Sequence, residues 1–236
     1  MTRDTVFRQE HPEIAEFAFD EKVSAVFADM LKRSVPGYGA IISMIAVFAK
    51  KYVQKDTAVY DLGCSLGACS LAVAQNVECR ILAYDVSEPM IKEAKKLLKE
   101  SEKEANISFF CEDITKIDFE KSSFVALNLV LQFIKPDNRA ALLKKINDSL
   151  TDGGVLILTE KISDTSDGEF FTDVYYDFKQ ANGYSELEIA QKRAALENVL
   201  VTDSEKIHTD RLKSCGFKKV ERWFQALNFR SYIAWK

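Results

Sequence analysis

With 236 residues, 47% of them hydrophobic, the chain is long enough for one domain with a sizeable core and too short for two ordinary ones. A formal net charge of −4 argues against a broad phosphate-binding surface, so direct binding to tRNA or DNA is not expected. No apolar run reaches the roughly 20 residues that span a bilayer, and the N-terminus MTRDTVFRQEHPEIAEF lacks the apolar centre of a secretory signal, so a cytoplasmic protein without membrane contact is expected.

A polar arm containing His11 opens the chain. Residues 21–52 follow with apolar residues at helical spacing, around Val23, Val26, Phe27 and Met30, and Pro36-Gly37 breaks that pattern before a second helix over 38–52. β-branched and aromatic residues then predict strands over 57–62, 80–85, 107–111 and 124–131, alternating with helices over 66–76, 88–101 and 137–150. A buried strand, VLILTE, is predicted within 154–160. This alternation builds a mostly parallel, doubly wound sheet. The rhythm breaks over 163–209, where helical segments at 170–180 and 185–200 are joined through Asn182-Gly183. That stretch reads as a helical insertion after the fifth strand, where a substrate lid could be built. The last residues, FKKVERWFQALNFRSYIAWK, alternate as two strands closing the sheet, with an antiparallel last strand. The expected organisation is one α/β domain over 1–236 with residues 1–52 as an N-terminal helical cap.

The five cysteines, Cys64, Cys69, Cys79, Cys111 and Cys215, are odd in number and contain no CxxC pair, so neither a metal cluster nor a disulfide framework is expected. The two histidines, His11 and His208, leave few candidates for imidazole chemistry. KEAKKLLKE and CGFKKVER are locally basic, but interleaved acids make them solvated faces rather than phosphate contacts.

The strongest motif is VYDLGCSLGACSLAVA, in which a strand ending near Asp61 turns through Gly63, Ser65 and Gly67 into a helix. Glycines let the backbone approach a ligand closely, and the start of the helix offers N–H groups. A dinucleotide fingerprint would need GxGxxG, yet counting from Gly63 its second and third glycines are Ser65 and Ala68. The form D-x-G-x-S-x-G instead resembles motif I of class I S-adenosylmethionine-dependent enzymes, and an ordinary tight βα turn is the plainer alternative. Two acids add weight because both fall at carboxyl ends of predicted strands, where open parallel sheets bind ligands. Asp85 lies 22 residues after Gly63, in position to accept hydrogen bonds from ribose hydroxyls. Asp113 is expected at the end of the third strand, where its counterpart meets an adenine amino group. Each alone could be a helix cap; together with LTDGGVLILTEK, the approach to strand five, they predict S-adenosyl-L-methionine binding on a Rossmann-like class I methyltransferase fold.

Methyl transfer is the usual expectation for that fold, but the DPPY-like motif of amide methylation is absent at strand four, where Asn128-Leu-Val-Leu-Gln132 stands. Across nearly its whole length the chain closely resembles the carboxy-S-adenosyl-L-methionine synthase family. The matching runs are FDEKVSAVFADMLKRSVPGYGAIISMI, VYDLGCSLGA, LNLVLQFIKP, DFKQANGYSELEIAQKRAALENVL and WFQALNF. Several of them lie outside the general cofactor fold.

The resemblance implies that S-adenosyl-L-methionine and prephenate become carboxy-S-adenosyl-L-methionine and phenylpyruvate, through a sulfonium ylide that captures carbon dioxide in a closed site. It implies ligand contacts from Tyr38, Gly63, Cys64, Ser65, Asp85, Val86, Asp113, Ile114 and Asn128, and no metal. It also implies a homodimer in which Arg193 grips the new carboxylate across the interface, and a separate tRNA carboxymethyltransferase that uses the product on a wobble uridine. A guanidinium suits that carboxylate because it binds through two parallel hydrogen bonds. Plainer readings stand beside these. Arg193 could pair with Glu197 one helical turn on, Tyr38 could be a core aromatic, and Cys64 is read as a backbone contact rather than a nucleophile. Val86 stands where some relatives have a polar residue, and the segment after Asn76 looks short. The alternatives are a methyltransferase acting on a small molecule or tRNA, and a non-catalytic cofactor-binding scaffold.

Overall fold

The computed structural model describes residues 2–10, 13–101, 106–163 and 168–236, which leaves His11 outside the described residues. The strands β1 (Ala58–Leu62), β2 (Arg80–Asp85), β3 (Ile107–Cys111), β4 (Ser122–Asn128), β5 (Leu150–Lys161), β6 (Lys219–Ala226) and β7 (Phe229–Trp235) form one sheet in the order β3-β2-β1-β4-β5-β7-β6. The first five are parallel. β7 runs antiparallel between β5 and β6, with Ile157 opposite Ile233, so the C-terminal hairpin closes one edge. The apolar runs follow from burial on both faces: every residue of β1 is buried, as is every residue of β4 except Asn128.

One face carries α3 (Tyr38–Tyr52) and α4 (Ala68–Ala74), which pack Ile41, Ile45 and Val73 on Val59, Phe124 and Ile233. The other carries α6 (Pro136–Ser149) and α9 (Glu205–Ser214), burying Leu142, Ile146 and Leu212 against Tyr60, Val125 and Leu158. α5 (Glu88–Glu100) covers the β2–β3 end of the sheet through Ile91 and Ala94. Two short helices, α1 (Glu21–Ser24) and α2 (Phe27–Ser34), form the N-terminal cap with Phe17, Val23 and Met30 packed inward. α7 (Gly168–Ala181) and α8 (Glu186–Leu196) follow β5. α8 is started by a capping box in which Ser185 and Glu188 satisfy each other's backbone N–H groups.

Several boundaries differ from the sequence reading, each for a physical reason. β4 stops at Asn128 instead of continuing to 131, because Leu129 takes φ 63° and Leu131–Phe133 winds into a 3₁₀ turn. Asp113 lies two residues beyond β3 rather than at its end. The second inserted helix ends at Leu196, not 200, and the expected insertion boundary at 209 falls inside α9, which packs on α6 and β6. His208 is on α9 with 1% of its surface exposed. No helix among the described residues is long and apolar enough to cross a membrane.

Candidate functional site

The site forms at the carboxyl ends of β1, β2 and β4, roofed by the N-terminal cap and α8. At the β1 turn, Gly63 has φ 72°, and a Cβ there would lie 2.4 Å from Val130 Cγ2. Only glycine fits. The N–H groups of Gly63 and Cys64 both donate to the Tyr84 carbonyl at 2.8 Å, so these two are taken up by the fold rather than left open for a ligand. Asp61, 3% exposed, accepts from the Ser70 backbone N–H (2.9 Å) and hydroxyl (2.6 Å), which fixes the start of α4. Burial pushes its carboxyl up to about 6, against those two donors.

Asp85 ends β2 with both oxygens oriented, one accepting from the Ser65 N–H at 2.8 Å and the other from the Ser87 N–H at 2.9 Å. Burial raises its pKa as well. Asp113 accepts from the Thr115 hydroxyl (2.7 Å) and N–H (3.0 Å) and lies 3.3 Å from Lys116 Nζ, which together hold its carboxyl below the ordinary value. Asn128 Nδ2 donates to Cys69 Sγ at 3.7 Å, whereas its Oδ1 is buried without a partner among the described residues. A buried, unmatched acceptor facing a cavity is a place for a ligand donor.

Beneath this wall sits Glu160, fully buried, whose carboxylate accepts the N–H groups of Val130, Leu131 and Gln132 at 3.1, 2.8 and 3.0 Å. Burial pushes its carboxyl up to about 8 against those three donors. From the other side the buried Arg139 binds the carbonyls of Ile134 (2.9 Å) and Val201 (2.8 Å) and pairs with Asp203 at 2.5 Å. The turn after β4 is thereby held from both flanks.

Nine of the ten residues expected from the sequence, Tyr38 through Asn128, line a single cavity. Val86 is 66% exposed and forms part of its lip. Cys64 is buried with its thiol pushed up by desolvation and by Asp61 and Asp85, which keeps it protonated and unsuited to nucleophilic attack. Arg193 is not in that wall. It is exposed on α8, its Nη1 2.7 Å from the Tyr176 hydroxyl, and lines an adjoining chamber. Sequence reasoning missed Phe19 and Met30 of the cap, Asp61, and the lysines Lys161 and Lys192. Of these only Asp61 had a local signal, as the acid that opens the glycine motif. Among the described residues no three His, Cys, Asp or Glu side chains converge as a metal site.

Sheet order, glycine turn and acid placement define a Rossmann-like class I S-adenosylmethionine-dependent methyltransferase fold. Residues 59–154 match the family described as a methyltransferase domain. Solved neighbours share the fold at low identity: a putative O-methyltransferase from Nostoc punctiforme (TM-score 0.67, 15% identical, 92% of this chain and 59% of that one), and the magnesium protoporphyrin IX methyltransferase of Synechocystis with bound SAH (TM-score 0.63, 16% identical, 88% and 87%). Full-length relatives are much nearer. The chain is 47% identical to the carboxy-S-adenosyl-L-methionine synthase of Geobacter sp. (strain M21), over 100% of both, and 48% identical to that of Enterobacter sp. (strain 638), over 99% of this chain and 97% of that protein. The chain belongs to the carboxy-S-adenosyl-L-methionine synthase family.

Proposed function

We propose that the protein converts S-adenosyl-L-methionine and prephenate into carboxy-S-adenosyl-L-methionine, phenylpyruvate and water. The sulfonium methyl gives up a proton, the prephenate ring–carboxyl bond breaks, and a new carbon–carbon bond forms between that carboxyl and the methyl carbon. The ring hydroxyl leaves with the proton as water. The observation that carries this reading is that the cavity lined by the nine expected cofactor residues shares Lys161 and Lys192 with an adjoining chamber that adds Lys179, a setting for an anionic partner rather than for a neutral methyl acceptor.

Within the cavity Asp85 receives the ribose hydroxyls on oxygens already aimed by Ser65 and Ser87, and Asp113 the adenine amino group. Gly63, Cys64, Ser65, Val86 and Ile114 frame the nucleoside, Tyr38 closes the far wall, and Asn128 Oδ1 takes a ligand donor. Arg193 grips the new carboxylate from the other subunit of a homodimer. Its exposure outside its own chain's cavity supports that delivery. The enzyme works in the cytoplasm without binding tRNA, and a separate tRNA carboxymethyltransferase consumes the product for wobble-uridine 5-oxyacetic acid. Mass spectrometry of a reaction with both substrates should show a nucleoside heavier than S-adenosyl-L-methionine by one carbon dioxide, with phenylpyruvate in equal amount. S-adenosylhomocysteine as the sole nucleoside product would overturn the reading in favour of methyl transfer.

A cationic ligand in this cavity should release a proton. Burial holds Asp61 near 6, and a sulfonium lowers the pKa of any nearby carboxyl. The folded, free protein therefore binds more protons than the complex, so affinity rises with pH through 6 and levels off above it, by up to about tenfold for each unit of lowering. Calorimetric titrations at pH 6 in two buffers of different ionisation enthalpy should give different apparent enthalpies; equal values would remove Asp61 from the ligand's electrostatic surroundings.

A further inference from the structure

Among the described residues, the chamber beside the cofactor cavity gathers four cations and no ion pair to them. It shares Lys161, Tyr175 and Lys192 with the cavity and adds Tyr176, Lys179 and Arg193. Three elements supply the cations: Lys161 is the last residue of β5, Lys179 lies on α7, and Lys192 and Arg193 lie on α8. Their nearest partners are neutral. Lys179 Nζ is 4.4 Å from the ring centroids of both Tyr175 and Tyr176, and Lys161 Nζ is 5.0 Å from that of Tyr175. Lys192 Nζ donates to Ser34 Oγ at 3.1 Å. None of the four cations is ion-paired among the described residues.

Lys179 is only 8% exposed. Burial, with repulsion from Lys161, Lys192 and Arg193, pushes it down to about 7. Lys192 is pushed down to about 8 by burial and by Arg33, with Asp4 opposing. Ammonium groups crowded together out of water without an ion-pairing partner are unfavourable for folding, and that arrangement is characteristic of a site built for an anion.

We propose that this chamber is the receptor for a dicarboxylate co-substrate. Position divides the work. Lys161 and Lys192 line both compartments, so they flank the carboxyl that must reach the sulfonium methyl. Lys179 lines the second chamber alone, so it anchors the carboxylate that the co-substrate keeps. After transfer one carboxylate remains on the departing product, which then meets a weaker attraction and leaves. The assignment rests on the proposed carboxyl transfer and names the residues that deliver it.

The test separates the two ideas. Prephenate is titrated into enzyme saturated with S-adenosylhomocysteine, which has no methyl group to react, and turnover is followed in parallel. Losing one charge-assisted contact, Lys179→Gln should weaken prephenate binding and raise its KM by about tenfold or more, with affinity for S-adenosyl-L-methionine kept within about twofold. Lys179→Arg should retain most of the binding. Wild-type protein should also bind the monoanion phenylpyruvate at least about tenfold more weakly than prephenate, a comparison that needs no variant. Unchanged prephenate affinity in Lys179→Gln, equal affinity of wild type for both anions, or parallel loss of S-adenosyl-L-methionine binding each overturns the receptor. Failure of the wild type to form carboxy-S-adenosyl-L-methionine from prephenate would instead overturn the function on which the receptor depends.

Discussion

Glu160→Leu should destabilise the protein by roughly 3 to 5 kcal/mol, among the largest effects of any single substitution here. Leucine fills much of the same volume, but it leaves the N–H groups of Val130, Leu131 and Gln132 buried without acceptors. Each such group costs about 1 to 3 kcal/mol, partly relieved if the turn shifts to find water. Glu160→Gln should fall between, because its amide oxygen replaces one carboxylate oxygen while its NH₂ faces a donor. The loss should reach the site as well. Leu129 holds φ 63° and Val130 packs against the Gly63 turn, so freeing this segment loosens the wall that carries Asn128. Chemical denaturation gives the measurement, and a Glu160→Leu variant within about 0.5 kcal/mol of wild type would show that the carboxylate is not what holds the turn.

The same segment marks where local sequence ceased to be enough. β2 and β3 were legible to the residue, since RILAYD and ISFFC are short apolar runs bounded by polar turns. NLVLQ looks like a continuation of strand four, and only an acid 32 residues after Asn128, at Glu160, bends it into a turn. Asp85 and Asp113 could be found because a parallel sheet places strand ends, and hence ligands, along one edge. Lys161, Lys179 and Lys192 could not, because they come from a strand and two helices and no local pattern states that these converge. α9 was hidden by the helical character of the whole stretch after β5, in which two helices roof the site and the third supports the sheet. Arg193 is a different case: its helix and its spacing to Glu197 allow a plain surface role, and only the family resemblance singles it out.

Arg193→Leu should bind carboxy-S-adenosyl-L-methionine no better than S-adenosyl-L-methionine, a loss of roughly 1.5 to 3 kcal/mol of preference, since only the former offers an anion to the guanidinium. The helix should survive, as leucine is a good helix former and Arg193 is exposed. Asp85→Ala should instead weaken both nucleosides by a similar amount, because the ribose contact is common to them. Mixing the two variants then tests where the arginine acts. If Arg193 crosses to the partner, a mixed dimer has one site with Asp85 intact and an intact arginine reaching it, and one site with both defects. Random exchange makes about half the dimers mixed, so about one site in four is restored. If Arg193 serves its own chain, every site keeps one defect and mixing restores nothing. Recovery of carboxy-S-adenosyl-L-methionine formation toward a quarter of wild type would place the arginine across the interface. Its absence after verified exchange would place it over its own chamber beside Tyr176, and full product selectivity in Arg193→Leu would remove it from the site altogether.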